Sequence, residues 1–310
     1  MTEMLFPDDI ARAAALLREG ALVAFPTETV YGLGADATND RAVAGVFAAK
    51  GRPSFNPLIV HVTDLRSARA IAVFDDTALM LAQAFWPGAL TLVLPLRPEA
   101  GIAPLVSAGL PTIALRVPDH PLAMALLRAC GKPIAAPSAN PSGRISPTTA
   151  AHVAAGLNGK IAAILDGGPC PVGLESTIVS PQPSPSLLRP GGLPIDAIEA
   201  LLGAPLEQRK DSETLNAPGQ LASHYAPKAS LRLNANRCAK EELLLGFGPV
   251  EADLNLSPSG NLIEAAANLF SHLHQLDTMN KPIAVSPIPQ TGLGRAINDR
   301  LRRAAAPRGT

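Results

Sequence analysis

Thirty-one prolines and 25 glycines in 310 residues, against one tryptophan, two tyrosines and eight phenylalanines, set the first constraint on this fold. Proline interrupts helix interiors and central strands, and glycine supplies the backbone conformations that turns require. Elements must therefore be short and turns frequent, and the core must be built from Ala, Leu, Ile and Val rather than aromatic rings. With 47% hydrophobic and 17% charged residues, the chain can bury a core and is not disordered as a whole. Its length fits about two domains.

Apolar residues at Ile10, Ala13, Ala14 and Leu17 recur at helical spacing and are closed by Gly20. A strand over 21–25 follows, then a turn-rich segment over 26–34 and a helix over 40–50. Further strands are expected at 57–62, 90–94, 112–117, 133–136, 161–165 and 177–179, with helices at 75–85, 121–130 and 148–155. This alternation predicts an α/β fold built on a twisted, open mixed sheet with helical cover. Residues 205–227 carry Pro205, Pro218, Gly219 and Pro227 and little periodicity, as a linker does. The expected organisation is a first domain over 1–204, that linker, and a small α/β domain over 228–310. In the last, strands at 231–233, 242–247 and 282–285 accompany helices at 262–276 and 294–305, a Rossmann-like βα arrangement.

Basic and acidic residues balance at 26 each. Zero net charge argues against holding nucleic acid by bulk counterion release, though not against a local basic groove. Residues 228–310 hold 10 basic and 7 acidic side chains, the excess falling in the final helix at Arg295, Arg300, Arg302 and Arg303. That helix is expected to present a solvated basic face. Cys130, Cys170 and Cys238 are too scattered for a disulfide framework or a thiolate zinc site. With no secretory leader pattern and no long apolar run, the expectation is a cytoplasmic protein. His272 and His274 alternate on a helix, point apart, and make a poor metal pair.

Four segments could carry chemistry. FPTETVYGLG (25–34) leaves a strand with hydroxyls, a carboxylate and an aromatic, though an ordinary strand-to-helix turn has the same look. KGRPSFNPLIVH (50–61) places Lys50 and Arg52 on a chain stiffened by proline, either an anion clamp or a charge cluster at a helix C-terminus. APSANPSGRISPT (136–148) ends a strand in small polar residues before a helix N-terminus, a junction that binds anions or simply caps a turn. LESTIV (174–179) and LLRPGG (187–192) bring a hydroxyl and the isolated Arg189 to strand ends. Cations and hydroxyls recur in these segments, whereas a reactive cysteine, a histidine base and paired carboxylates do not. Such a set binds polyphosphate and carboxylate groups and orients them, leaving catalysis to positioning and electrostatics.

These motifs, with LRVP around Arg116, occur in the order seen in the threonylcarbamoyl-AMP synthase (YrdC-like) family, which the chain resembles. APGQLASHYAP (217–227) and GLGRAINDRL (292–301) are similar to its longer, two-domain branch. The resemblance implies synthesis of threonylcarbamoyl-AMP and pyrophosphate from ATP, L-threonine and bicarbonate or carbon dioxide, with magnesium carried by ATP. The product would pass to a tRNA threonylcarbamoyl transferase complex that modifies tRNA beside the anticodon, direct tRNA binding being weak. By matching motif, Thr29, His61, Arg116 and Ser176 would contact threonine, with Ala136 adding backbone. Arg52, Asn56, Thr112, Ser138, Asn140, Ser146 and Arg189 would contact ATP. Lys50 and Arg52 would be catalytic at the phosphates, and Tyr225 would fold over the nucleotide as part of a lid. The lid departs from the family form at Gln220-Leu221, where a methionine and a basic residue are usual.

Two other classes compete. A non-catalytic RNA-binding protein would show a basic excess that residues 1–210 lack, with 16 basic and 17 acidic side chains. A hydrogenase-maturation relative would carry a zinc-finger segment, for which the chain has no paired cysteines.

Overall fold

A computed structural model describes residues 1–208 and 223–307. Its larger layer is an eleven-stranded mixed sheet. In spatial order the strands are Glu3–Leu5, Ala163–Leu165, Val23–Phe25, Gly32–Asp36, Ile134–Ala135, Ile59–His61, Thr112–Arg116, Leu90–Pro95, Thr177–Ser180, Ser186–Arg189 and Glu207–Gln208. The sheet thus reaches residue 208, the fourth residue of the segment expected as linker. The smaller layer is a four-stranded parallel sheet, ordered Leu231–Arg232, Ile283–Val285, Leu243–Gly246, Leu254–Asn255, with helices Leu262–Asp277 and Gly294–Ala305.

One strand lies where only a turn was expected. Gly32–Asp36 pairs antiparallel with Val23–Phe25 on one side and with Ile134–Ala135 on the other. Its glycines hid it, since glycine weakens strand propensity, yet close packing demands them. A Cβ on Gly34 would lie 2.9 Å from the Phe25 ring and 3.1 Å from the Val23 carbonyl oxygen. The helices Leu65–Ile71, Pro104–Ser107 and Ile195–Leu202 also escaped the sequence pattern, the first two being too short for periodicity.

Alternation along the central strands gives the sheet two unlike faces. Leu58, Val60, Ile113, Leu115, Leu92 and Leu94 enter the main aliphatic core under the helices. On the opposite face Ile59, Val93, Ala114, Ile178 and Leu188 form a small apolar floor. His61 and Arg116 share the parity of that floor and pair directly in register. A further core is common to both layers: Val30, Ile145, Leu174 and Tyr225 pack with Leu269, Phe270, Leu273 and Ile297. The layers meet closely at Gly173, where a Cβ would fall 2.5 Å from the Ala266 carbonyl oxygen within helix Leu262–Asp277. Among the described residues, no helix is long and apolar enough to cross a membrane.

Candidate active site

The apolar floor opens into a cavity lined by Thr29, Arg52, His61, Arg116, Ala136, Ser138, Ser176, Arg189 and Tyr225, nine of the residues expected from sequence. Each arrives by a local rule. Asn39 caps helix Asp40–Lys50 by accepting from the Arg41 and Ala42 amides, and Gly51 ends it in the left-handed conformation at φ 60°. The chain therefore turns at Gly51, so that Lys50 and Arg52 leave the helix end in different directions.

Arg116 closes one end of the cavity. Its Nη2 donates to Glu28 at 2.5 Å, Nη1 to the Thr29 hydroxyl at 2.9 Å, and Nε to the Gly88 carbonyl at 3.1 Å. The guanidinium plane is thereby fixed, with one further N–H on each terminal nitrogen for a planar anion. His61 lies one strand away, edge-on to Phe25, and its Nδ1 is buried with no hydrogen-bond partner among the described residues. Burial, followed by the nearby Arg116 charge, pushes the His61 pKa down to about 3. The imidazole is neutral near pH 7 and can offer hydrogen bonds without carrying charge.

That shift has a consequence for stability. A histidine neutral in the fold but free to protonate near 6.5 when unfolded stabilises fully above pH 6.5. This contribution is lost as pH falls from 6.5 toward 3, because the unfolded chain binds the extra proton. From His61 alone, unfolding free energy should drop by about 2 kcal/mol between pH 7 and pH 5. His152, lowered to about 4 by burial and by His274, acts in the same direction. Urea unfolding at the two pH values checks this, with His61→Asn expected to reduce the drop; equal midpoints would refute it.

At the other end Arg52 donates to the carbonyls of Asn56 at 3.2 Å and Pro57 at 2.9 Å. Burial lowers its pKa to about 10, so it stays cationic. Both side-chain amide atoms of Asn56 are buried without a partner among the described residues. Arg189 donates to the Ser176 carbonyl at 2.8 Å, and Ser176 shares a 2.7 Å hydroxyl contact with Thr91.

Five expected residues do not line the cavity. Lys50 is 4% exposed and donates to the carbonyls of Ser138 and Asn140, both at 2.5 Å, pinning that loop to the helix end. Burial and then Arg52 hold its pKa well below the usual value. Asn140 donates to the carbonyls of Pro141 and Arg144. Ser146 donates its hydroxyl to Glu175. Thr112 begins the strand that Arg116 ends, on the same face but four residues away, and Asn56 sits beneath Arg52. The expected departure at Gln220-Leu221 lies outside the described residues.

Sequence reasoning missed three groups here. Glu28 and Glu175 are buried carboxylates, each paired with an arginine rather than with each other. They stood inside the quoted motifs, but a lone carboxylate in a strand-end segment carries no spacing signal. The third is Arg300, expected on a solvated face and found fully buried against Glu175. His274 stacks on His152 with ring centroids 4.0 Å apart and contacts the Ser146 carbonyl oxygen at 3.1 Å.

Residues 15–191 match the family model for Sua5, YciO and YrdC proteins (telomere recombination), and residues 193–306 match the threonylcarbamoyl-AMP synthase C-terminal domain. A threonylcarbamoyl-AMP synthase of Bacillus subtilis is 45% identical over 337 aligned positions, covering 99% of this chain and 96% of that protein. One from Pyrococcus abyssi is 42% identical over 94% of this chain and 93% of its own length. The crystal structure of P. abyssi Sua5 complexed with L-threonine superposes with a TM-score of 0.90 at 39% identity, covering 98% and 97% of the two chains. The chain belongs to the Sua5/YrdC family of threonylcarbamoyl-AMP synthases.

Proposed function

We propose that this cavity makes threonylcarbamoyl-AMP from L-threonine, bicarbonate and ATP, releasing pyrophosphate. The observation that carries the reading is the fixed fork of Arg116 beside neutral His61, a carboxylate receptor next to an uncharged hydrogen-bonding group. A threonine carboxylate would take the two inward N–H groups of Arg116, and Thr29, His61 and Ser176 would hold its amine and hydroxyl. The threonine nitrogen is then the nucleophile. It forms a bond to the bicarbonate carbon with loss of water, and the resulting carbamate oxygen attacks the α-phosphorus as the bond to the β-phosphate oxygen breaks.

Charge accumulates on the phosphates during that attack. Arg52 and Arg189, buried and cationic at the other end of the cavity, would offset it without reorganising. Asn56, with both amide atoms unpartnered, would complete the nucleotide contacts together with Ser138, Ser146, Asn140 and Thr112. Tyr225, buried at the cavity wall, would exclude water from a carbamate that hydrolyses easily. Magnesium would be carried by the ATP phosphates. The product would then be handed to a tRNA-modifying transferase complex in the cytoplasm, with little direct contact between this protein and tRNA.

Incubation with ATP, threonine and labelled bicarbonate tests the reading. Pyrophosphate release should depend on threonine, and label should enter a nucleotide product in equal amount. Release without threonine, or none with all three substrates, would overturn it.

A further inference from the structure

Among the described residues Arg300 is the largest fully buried side chain, at 0% exposure, although the same helix exposes Arg302 and leaves Arg303 half-buried. It reaches from the second layer into the first. Nε donates to Glu175 Oε2 at 2.7 Å, Nη1 donates to Asp299 Oδ2 at 2.7 Å, and the guanidinium lies 5.0 Å above the centre of the Tyr225 ring. Glu175 in turn accepts the Ser146 hydroxyl through its other oxygen. Glu175 and Tyr225 both line the cavity, whereas Arg300 stands behind them.

We propose that Arg300 is a positioning residue of the nucleotide end of the site, by which the C-terminal layer orients Glu175, Ser146 and Tyr225. The inference rests on the synthase reading above. Three observations carry it. First, an ion pair buried between two layers adds little net stability compared with an apolar contact. Second, the pair is not isolated: one guanidinium fixes a carboxylate by Nε, an aromatic ring by its face, and its own helix by Nη1. Rigid backing of this kind keeps groups that touch a substrate within the narrow tolerances that catalysis needs. Third, the two layers are in close backbone contact at Gly173, where a Cβ would meet the Ala266 carbonyl oxygen of helix Leu262–Asp277 at 2.5 Å. Burial works against the Arg300 charge, but Tyr225, Glu175 and Asp299 outweigh it and hold the group cationic.

Arg300→Lys keeps the charge and loses the fork and the flat face. It should fold, raise KM for ATP about tenfold, and change KM for threonine far less. Because this variant could also loosen the fold, Asp299→Asn provides a second measurement: it leaves the Glu175 pair intact and weakens the contacts of Asp299 with Arg300 Nη1 and Arg303 Nε. Its KM for ATP should rise about threefold, again with threonine little affected. Calorimetric ATP affinity, which needs no turnover, should fall in step for both variants. Unchanged ATP affinity in folded Arg300→Lys, or equal rises in KM for both substrates, would overturn the proposal. Absence of product from the unaltered protein, with ATP affinity still sensitive to Arg300, would instead overturn the synthase reading alone.

Discussion

Arg116→Met should lower kcat/KM for threonine by about a thousandfold, about 4 kcal/mol of transition-state binding. Two losses combine in that figure. The substrate carboxylate loses a bidentate charged partner, and the Thr29 hydroxyl loses the donor that fixes it. The variant should also unfold more easily, by about 3–5 kcal/mol, because Glu28 would be left buried and unpaired. The double change Arg116→Met with Glu28→Gln separates the two effects. Removing both charges should recover most of the stability while leaving threonine turnover as low as in the single variant. If turnover returned together with stability, Arg116 would be a structural ion pair and the carboxylate receptor would have to lie elsewhere.

Lys50→Met should reduce product formation about a hundredfold or more, and its cause differs from that of a simple phosphate contact. The Lys50 amino group is held between the Ser138 and Asn140 carbonyls, so its removal leaves two buried acceptors without a donor. Each such acceptor costs about 1–3 kcal/mol. Stability and activity should therefore fall together, and Lys50→Arg, whose fork cannot reproduce two converging contacts from one nitrogen, should recover little of either. Thermal unfolding and pyrophosphate release measured on the same preparations decide the matter. Full activity in Lys50→Met would remove this residue from the catalytic assignment.

Strands rich in branched residues, such as Thr112–Arg116 and Leu90–Pro95, were readable because both of their faces meet apolar neighbours. Gly32–Asp36 was not, since its residues were selected for closeness to Phe25 and not for strand propensity. The cavity residues were legible because the motifs that contain them are short and local. Arg300 and Glu175 were not: 125 residues separate them, and the surrounding Arg295, Arg302 and Arg303 gave the helix the look of a solvated basic face. Local composition cannot reveal that one arginine of four turns inward. With Arg300 internal, the basic helix also offers less outward charge for any contact with RNA than its sequence implies.

The separations along the chain bear on how this enzyme is born. Arg116 meets Glu28 across 88 positions, Lys50 meets Asn140 across 90, and Thr91 meets Ser176 across 85. Contacts so distant form slowly, because the loops between them must close before any contact is gained. During vectorial synthesis the first 130 residues can bury much of the helical cover, yet Arg116 and Lys50 differ in when they can be satisfied. Glu28 and Arg116 can meet early, Lys50 must wait for the loop at 138–140, and Glu175 has no cation from the second layer until residue 300 has been made. A nascent chain would thus acquire its carboxylate receptor well before its nucleotide end. Protection of the chain by ATP against proteolysis should accordingly arise only at the completion of translation, whereas packing around Arg116 precedes it.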